Sequence, residues 1–424
     1  MKEFDRIIGY EEVKRELIKI CDTMRNPDKY AKIGSRTPKG LLLYGEPGVG
    51  KSLMCECLIQ ASGRKAYICR RDEDDNLFIG KIRETFEEAK ENAPSIVLLD
   101  DMDKFANDDD KHKDSPEYVA VQACIDSVKK DEVFVLATCN GLEKLPESLL
   151  RVGRFDQTIQ ISNPCGEDAE KIVSYYLKDK NCAEDVNAKV IARLLNGNSC
   201  ASLETMVNEA GIYAAYANKE KIEKEDMIAA ALKIIYKAPE SMKKQNEEVL
   251  KLTAIHEAGH AVVTEILEPG AVSIVSIRNN TGEIGGITGY ARNDDLYFNN
   301  YDMMQDRVIM SLGGKAATEI CLGIVDAGTR DDVDRAFHIV GRFARCISAY
   351  GFEYFEDYSS SHKKEDELSS RVAHEVSNYY LKAKEIIAKN REFLDKLVQA
   401  LLEKETLLTD DVQAIKQTCK IVNC

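Results

Sequence analysis

The chain has 424 residues, with 58 basic and 73 acidic side chains and a formal net charge of −15. That length exceeds one ordinary core, so two or three domains are expected, and 44% hydrophobic with 31% charged residues is a folded, globular composition. The acidic balance disfavours nucleic acid and anionic membranes as partners, no run approaches the roughly 20 apolar residues of a membrane span, and the first nine residues carry no secretory signal.

Along the chain, apolar runs and helical patterns alternate up to about residue 160. Strands are expected at 40–44, 66–69, 95–99, 133–138 and 158–161, with amphipathic segments such as 11–24 and 82–91 between them. This alternation is the mark of a parallel α/β sheet. Asn163-Pro164 ends it. The charge run 107–114 reads as a solvated loop. From 166 to 237 the apolar residues recur at helical spacing and strands vanish. Ala238-Pro239 and the polar run after it read as a linker. From 249 the chain is again mainly helical, with short β-like segments at 273–278 and 284–290. The absence of proline after Pro269 suits long helices near the C-terminus. The domain boundaries expected are 1–164, 165–237, a linker at 238–248, and 249–424. The 13 cysteines are scattered, without a C-x-x-C pair, and read as reduced small apolar side chains of a cytosolic protein.

Two segments carry chemistry. Gly45-Glu46-Pro47-Gly48-Val49-Gly50-Lys51-Ser52 fits G-x-x-x-x-G-K-[S/T] between a strand and the apolar helix that starts at Leu53. Glycines let backbone amides wrap phosphates, Lys51 charges the β and γ oxygens, and Ser52 holds magnesium, so ATP with magnesium is the expected ligand. The strand 95–99 ends in Asp100 and Asp101. Asp100 would bind magnesium through water, and Asp101 would polarise the attacking water. Asn140, at the end of the next strand, either orients that water or is a plain turn residue.

The second segment is His256-Glu257-Ala258-Gly259-His260, which takes two of the six histidines. Residues four apart share a helix face, so both imidazoles can bind one zinc, and Glu257 can take a proton from the metal's water. Zinc needs a third protein ligand and an open position.

Leu149-Leu150-Arg151-Val152-Gly153-Arg154-Phe155-Asp156 resembles the arginine-finger segment of AAA+ ATPases, with Val152 in place of proline. The resemblance implies that Arg151 and Arg154 reach the γ-phosphate of a neighbouring subunit in a homo-hexamer. Ile7-Ile8-Gly9 resembles the family's adenine-contacting stretch, which points to Ile8 and Gly9. With H-E-A-G-H behind such a module, the chain resembles the FtsH-type ATP-dependent zinc metalloprotease family. Further matching segments are 207–210, 312–317, 327–333 and 401–407. The implied fold is an α/β P-loop AAA+ ATPase module with a helical lid, followed by a mainly α-helical zinc metallopeptidase domain. The third zinc ligand carries over to Asp332, with Asp331 and Glu319 as alternatives. The segment 285–290 resembles a glycine-rich strand near the family's active site. Gly286 and Ile287 there would pair with an extended substrate, or the segment is a bare structural strand. The implied activity is threading and cleavage of unfolded or tagged proteins. The alternative is a remodeller or scaffold whose peptidase is weak or silent.

Three departures from the family modify this reading. Asp101 stands where the family has glutamate, which implies slow hydrolysis. Phe78-Ile79-Gly80 matches the aromatic pore loop but runs straight into a helix, so Phe78 either grips a translocating chain or packs in the core. The family usually begins with a membrane anchor, whereas this chain starts at the ATPase. A soluble cytoplasmic protein is therefore expected, with membrane association only if an anchor was removed or a partner supplies one.

Overall fold

The computed structural model describes residues 1–71, 75–105, 116–151, 153–195, 197–241, 243, 245–281, 285–291, 301–325, 327–346 and 362–423. The charge run 107–114 and Val152 lie outside the described residues. The chain forms two compact units, residues 1–179 with 197–205, and residues 180–196 with 206–424.

The first unit contains α1 (Glu11–Arg25), α2 (Pro27–Ala31), β1 (Gly40–Tyr44), α3 (Lys51–Ser62), β2 (Lys65–Cys69), α4 (Asp75–Glu91), β3 (Ser95–Leu99), α5 (Pro116–Ser127), β4 (Val133–Cys139), β5 (Gln157–Gln160) and α6 (Gly166–Leu177). All five expected strands are present. They form one parallel sheet in the order β2-β3-β4-β1-β5. The central strands are buried along their whole length, as a sheet covered on both faces requires. Edge strand β5 alternates between half-buried and exposed positions. Tyr44 is in register with Cys139, and Leu99 with Ala137. The loops leaving β1 and β3 therefore flank the end of β4, at the carboxyl edge where open α/β sheets bind ligands.

The second unit begins with α7 (Ala188–Leu194). It takes up α8 (Cys200–Tyr216) from its seventh residue, and α9 (Lys224–Ile234) follows. Residues 238–248 are not a free tether. Ser241 N–H donates to Asn279 O at 2.9 Å, and Thr281 N–H donates to Pro239 O at 2.9 Å. Then come α10 (Glu247–Leu267), β6 (Val272–Ser276), β7 (Ile287–Tyr290), α11 (Tyr301–Ser311), α12 (Gly313–Leu322), α13 (Arg330–Cys346), α14 (His362–Lys389), α15 (Arg391–Lys404), β8 (Thr406–Leu408) and α16 (Thr409–Gln417). From Ala254 to Ile266 every residue of α10 is buried, so this helix is the axis of the core.

The C-terminal run is less continuous than the sequence suggests. Glu405 adopts φ 60°, which stops α15, and β8 pairs with β6. A three-residue strand has too few positions to show a period, and only its partner reveals it. The resulting antiparallel sheet has the order β7-β6-β8. Among the described residues, no helix is long and apolar enough to cross a membrane.

Glu265 secures the end of α10. Its fully buried carboxylate accepts from Gly270 N–H (3.0 Å), Val272 N–H (3.3 Å), Gln413 Nε2 (2.7 Å) and Lys416 Nζ (3.1 Å). Removing one partner of a buried pair leaves the other charge uncompensated. Glu265→Ala should therefore cost about 3–5 kcal/mol in urea unfolding.

Candidate functional site

In the first unit the P-loop follows β1, and Lys51 opens α3. Lys51 is 7% exposed, and its Nζ donates to the carbonyls of Gly45 (2.6 Å) and Glu46 (2.9 Å) and to Asn140 Oδ1 (3.1 Å). Burial pushes this ammonium's pKa down, against the pull of Asp101 and Asp103. All three acceptors are neutral, so phosphate oxygens would replace them with stronger, charge-assisted bonds. Val49 is buried beneath the loop. Pro47 and Ser52 face solvent, and Leu53 is half-buried. The Glu46 carboxylate accepts from Asn163 Nδ2 at 2.8 Å. Ala201 N–H donates to Gly48 O at 3.1 Å, which ties the start of α8 to the loop. Ile8 and Gly9 lie on a cleft of ≈ 740 Å³ whose walls also include Lys14, Lys171 and Tyr175. None of its lining residues belongs to the P-loop.

Asp100 is 3% exposed and accepts from Thr138 Oγ1 at 2.8 Å, while the same hydroxyl accepts Asp101 N–H at 2.8 Å. Thr138 on β4 thus fixes the Asp100 carboxylate and the Asp101 backbone at the end of β3. Asn140 spans the site. Its Oδ1 meets Lys51, and its Nδ2 donates to Asp103 Oδ2 at 3.1 Å. Both acidic residues already carry cations. Arg70 forms a two-nitrogen pair with Asp100, its Nε at 3.0 Å, and Lys104 Nζ lies 2.6 Å from Asp101 Oδ2. Sequence reading passed over Arg70, and its only signal there was an arginine directly after strand 66–69. The residues present fit ATP and magnesium, provided Arg70 yields Asp100 to the metal.

Two further candidate residues pack inward. Phe78 lies within α4 and is fully buried, edge-on to Phe105 with ring centroids 5.0 Å apart. It packs as a core side chain, the second of the two expected readings, because α4 starts at Asp75 and absorbs the segment read as a pore loop. Arg154 is turned into its own unit. It pairs with both oxygens of Asp126 (3.0 and 2.8 Å), and its side chain is 13% exposed. Arg151 is exposed.

In the second unit His256, Glu257 and His260 project from the buried stretch of α10. His256 Nε2 and His260 Nε2 are 3.0 Å apart, and Asp332 Oδ2 lies 3.2 Å from the first and 3.1 Å from the second. Zinc bonds of about 2.0–2.2 Å in tetrahedral array separate ligand atoms by roughly 3.3 Å. The three donors therefore surround a point at zinc-bond distance, and they are the metal-compatible group among the described residues. His260 Nδ1 lies 2.9 Å from Met310 O. A carbonyl only accepts, so Nδ1 carries the proton and the Nε2 lone pair faces the centre. Gly314 of α12 borders it. A Cβ there would fall 2.6 Å from the Nε2 atoms of both histidines, so any side chain would fill the ion's cradle.

The alternatives for the third ligand lie elsewhere. Asp331 is exposed, while Glu319 pairs with Lys384 at 2.7 Å and accepts from Tyr380. Glu257 is 6% exposed beside the metal group. Ile287 opens β7 and Gly286 directly precedes it; β7 is an edge strand with no partner on its outer side among the described residues.

Residues 41–163 match the ATPase family associated with various cellular activities (AAA), and residues 242–415 match peptidase family M41. The ATP-dependent zinc metalloprotease FtsH of Thermotoga maritima is 31% identical over 97% of this chain and 72% of its own length. The chain belongs to the FtsH-type family of ATP-dependent zinc metalloproteases. FtsH 2 of Alkaliphilus metalliredigens is 30% identical over 97% of this chain, and FtsH of Bacillus subtilis 29% over 98%. The chain spans 64% and 69% of those two relatives. The FtsH-type fold thus joins an AAA ATPase module to a mainly helical M41 peptidase module.

Two predictions follow from this geometry. Burial opposes protonation of His260, but the hydrogen bond and charge of Asp332 outweigh it, so the metal-free pKa is raised above 6.5. This pair stabilises the metal-free fold below the unfolded histidine pKa, and the contribution is lost as pH rises through the raised folded value. Zinc requires the neutral ring. Zinc affinity, measured against a chromophoric chelator, should fall as pH is lowered, starting above the usual histidine range, and a flat profile across neutral pH would contradict it. At the other site, Arg70→Ala should lower the magnesium concentration that half-saturates nucleotide binding by up to about fivefold, the worth of about 1 kcal/mol in a part-exposed pair. A titration with a fluorescent ADP analogue measures it, and an unchanged midpoint would show that Arg70 and magnesium do not compete.

Proposed function

We propose that this chain is an ATP-dependent zinc endopeptidase that works on unfolded or tagged cytoplasmic proteins as a homo-hexamer. The observation that carries the reading is the triad of His256, His260 and Asp332, at mutual distances of 3.0–3.2 Å, with Glu257 beside it in a buried helix. Zinc held there would supply an acidified water and polarise the scissile carbonyl. Glu257 takes the water's proton and returns it to the leaving nitrogen. The outer edge of β7, unpartnered among the described residues, pairs at Gly286 and Ile287 with an extended substrate through main-chain bonds, which recognises shape rather than sequence.

In the ATPase unit, the P-loop amides and Lys51 take the phosphates, and Ile8 and Gly9 border the base. Ser52 and Asp100 hold magnesium. Asp101 and Asn140 orient the water, with Asp101 one methylene shorter than the family's glutamate. Arg151, exposed where Arg154 is paired internally, is the guanidinium offered to a neighbouring subunit's γ-phosphate.

The burial of Phe78 favours a second reading. Without that aromatic grip, the peptidase would act on chains that are already unfolded, and ATP would govern the ring rather than pull substrate.

Degradation of an intrinsically unfolded protein and of a stably folded one separates the readings. Glu257→Gln should lower cleavage of both at least 100-fold, with zinc content retained. Lys51→Ala should abolish degradation of the folded substrate if ATP drives unfolding. Cleavage of the unfolded substrate by wild type, with the folded one left intact, would support the second reading. Absence of cleavage by zinc-loaded wild-type protein would leave only a remodeller with a silent peptidase.

A further inference from the structure

Glu257 does not reach its position through α10 alone. Strand β7 packs against it, and Thr288 Oγ1 lies 2.6 Å from Glu257 Oε2. The same hydroxyl lies 3.2 Å from Glu257 O, but it has one proton to give, and the shorter contact to the carboxylate is the stronger acceptor. Two residues earlier on the same face of the strand, Gly286 leaves space for the acid. A Cβ at 286 would fall 2.5 Å from Glu257 Cγ and 2.6 Å from Oε1. The strand is itself fixed, because Thr288 is in register with Val275 of the buried strand β6.

We infer that Thr288 is a positioning residue for cleavage, which pins Oε2 of Glu257 and leaves Oε1 as the atom that accepts and returns the proton. The inference rests on the peptidase reading above. The bond division suits both protonation states. When Oε1 gains the water's proton, Oε2 remains an acceptor, so the Thr288 hydrogen bond survives the transfer and the acid is still aimed when it protonates the leaving nitrogen. A free glutamate has three side-chain torsions to order. Holding one oxygen removes that search from the barrier. The edge strand proposed to align the substrate is then the one that aligns the base. Substrate and base share one rigid element, as precise sites require.

The test uses the full chain loaded with zinc and an unfolded protein substrate, and compares Thr288→Val, Thr288→Ser and Glu257→Gln. Valine keeps the shape and removes the hydroxyl, whereas serine keeps the hydroxyl. Thr288→Val should lower kcat on the order of tenfold to a hundredfold with KM, zinc content and ATPase rate unchanged. Thr288→Ser should stay within about threefold of wild type, less than the hundredfold that a misplacement can cost. A crystal structure of metal-free Thr288→Val should show Glu257 in more than one rotamer, against a single one in wild type. The inference falls if Thr288→Val cleaves at the wild-type rate while Glu257→Gln is inactive, or if valine and serine are equally impaired. Full cleavage by Glu257→Gln would overturn the peptidase reading and this inference with it.

Discussion

Two imidazoles from the buried stretch of one helix converge with a carboxylate from another, and the peptidase unit is arranged around that demand. Polar groups in an apolar core must find partners, and three metal-ligating atoms about 3 Å apart would find theirs in a shared cation. The surroundings fit this need. Met310 supplies the carbonyl that sets the His260 tautomer, and Gly314 leaves the ion its volume. The first turn of α13 brings in Asp332. Glu265 closes the far end of α10 by satisfying two backbone amides and a half-buried lysine. The buried stretch Ala254–Ile266 can therefore hold His256, Glu257, His260 and Glu265 among mainly apolar residues.

The ATPase unit meets a different constraint. Its carboxylates cluster at the edge of a parallel sheet, where like charges repel. Arg70 on Asp100 and Lys104 on Asp101 relieve that repulsion. Thr138 locks both acids to β4, and Asn140 links Lys51 to Asp103. The site is a polar network in which Lys51, Asp100, Asp101 and Asn140 already have neutral or ionic partners. ATP with magnesium would replace those partners one by one. The affinity of the site is then a difference between two satisfied states.

Much of this was legible in the residues. The five strands of the first unit showed as apolar runs because a sheet covered on both faces tolerates little else. The P-loop and the H-E-x-x-H helix were readable because their chemistry fixes both residue type and spacing within a few positions. Phe78 was not settled in that way. The F-I-G triplet suits a loop or a helix equally, and only the packing of its ring on Phe105 decided for the core. Arg154 looked equivalent to Arg151 until Asp126, 28 residues away, accepted its guanidinium. β8 was hidden because its partner strand lies about 130 residues earlier in the chain.

By itself, the sequence determined the two local chemistries and the order of the modules, since those depend on neighbours within a turn of helix or a strand end. Tertiary structure decided which of Asp331, Asp332 and Glu319 faces the histidines, which arginine is left exposed, and which residue holds the base. These are meetings between atoms separated by 28 to 76 residues in the chain. No local pattern encodes such meetings, because they follow from how helices and strands pack. The same packing defines the long chain that length and charge first described. Its acidic surplus names no partner, while the buried acids Asp100, Glu257 and Glu265 are each held by a specific donor or cation.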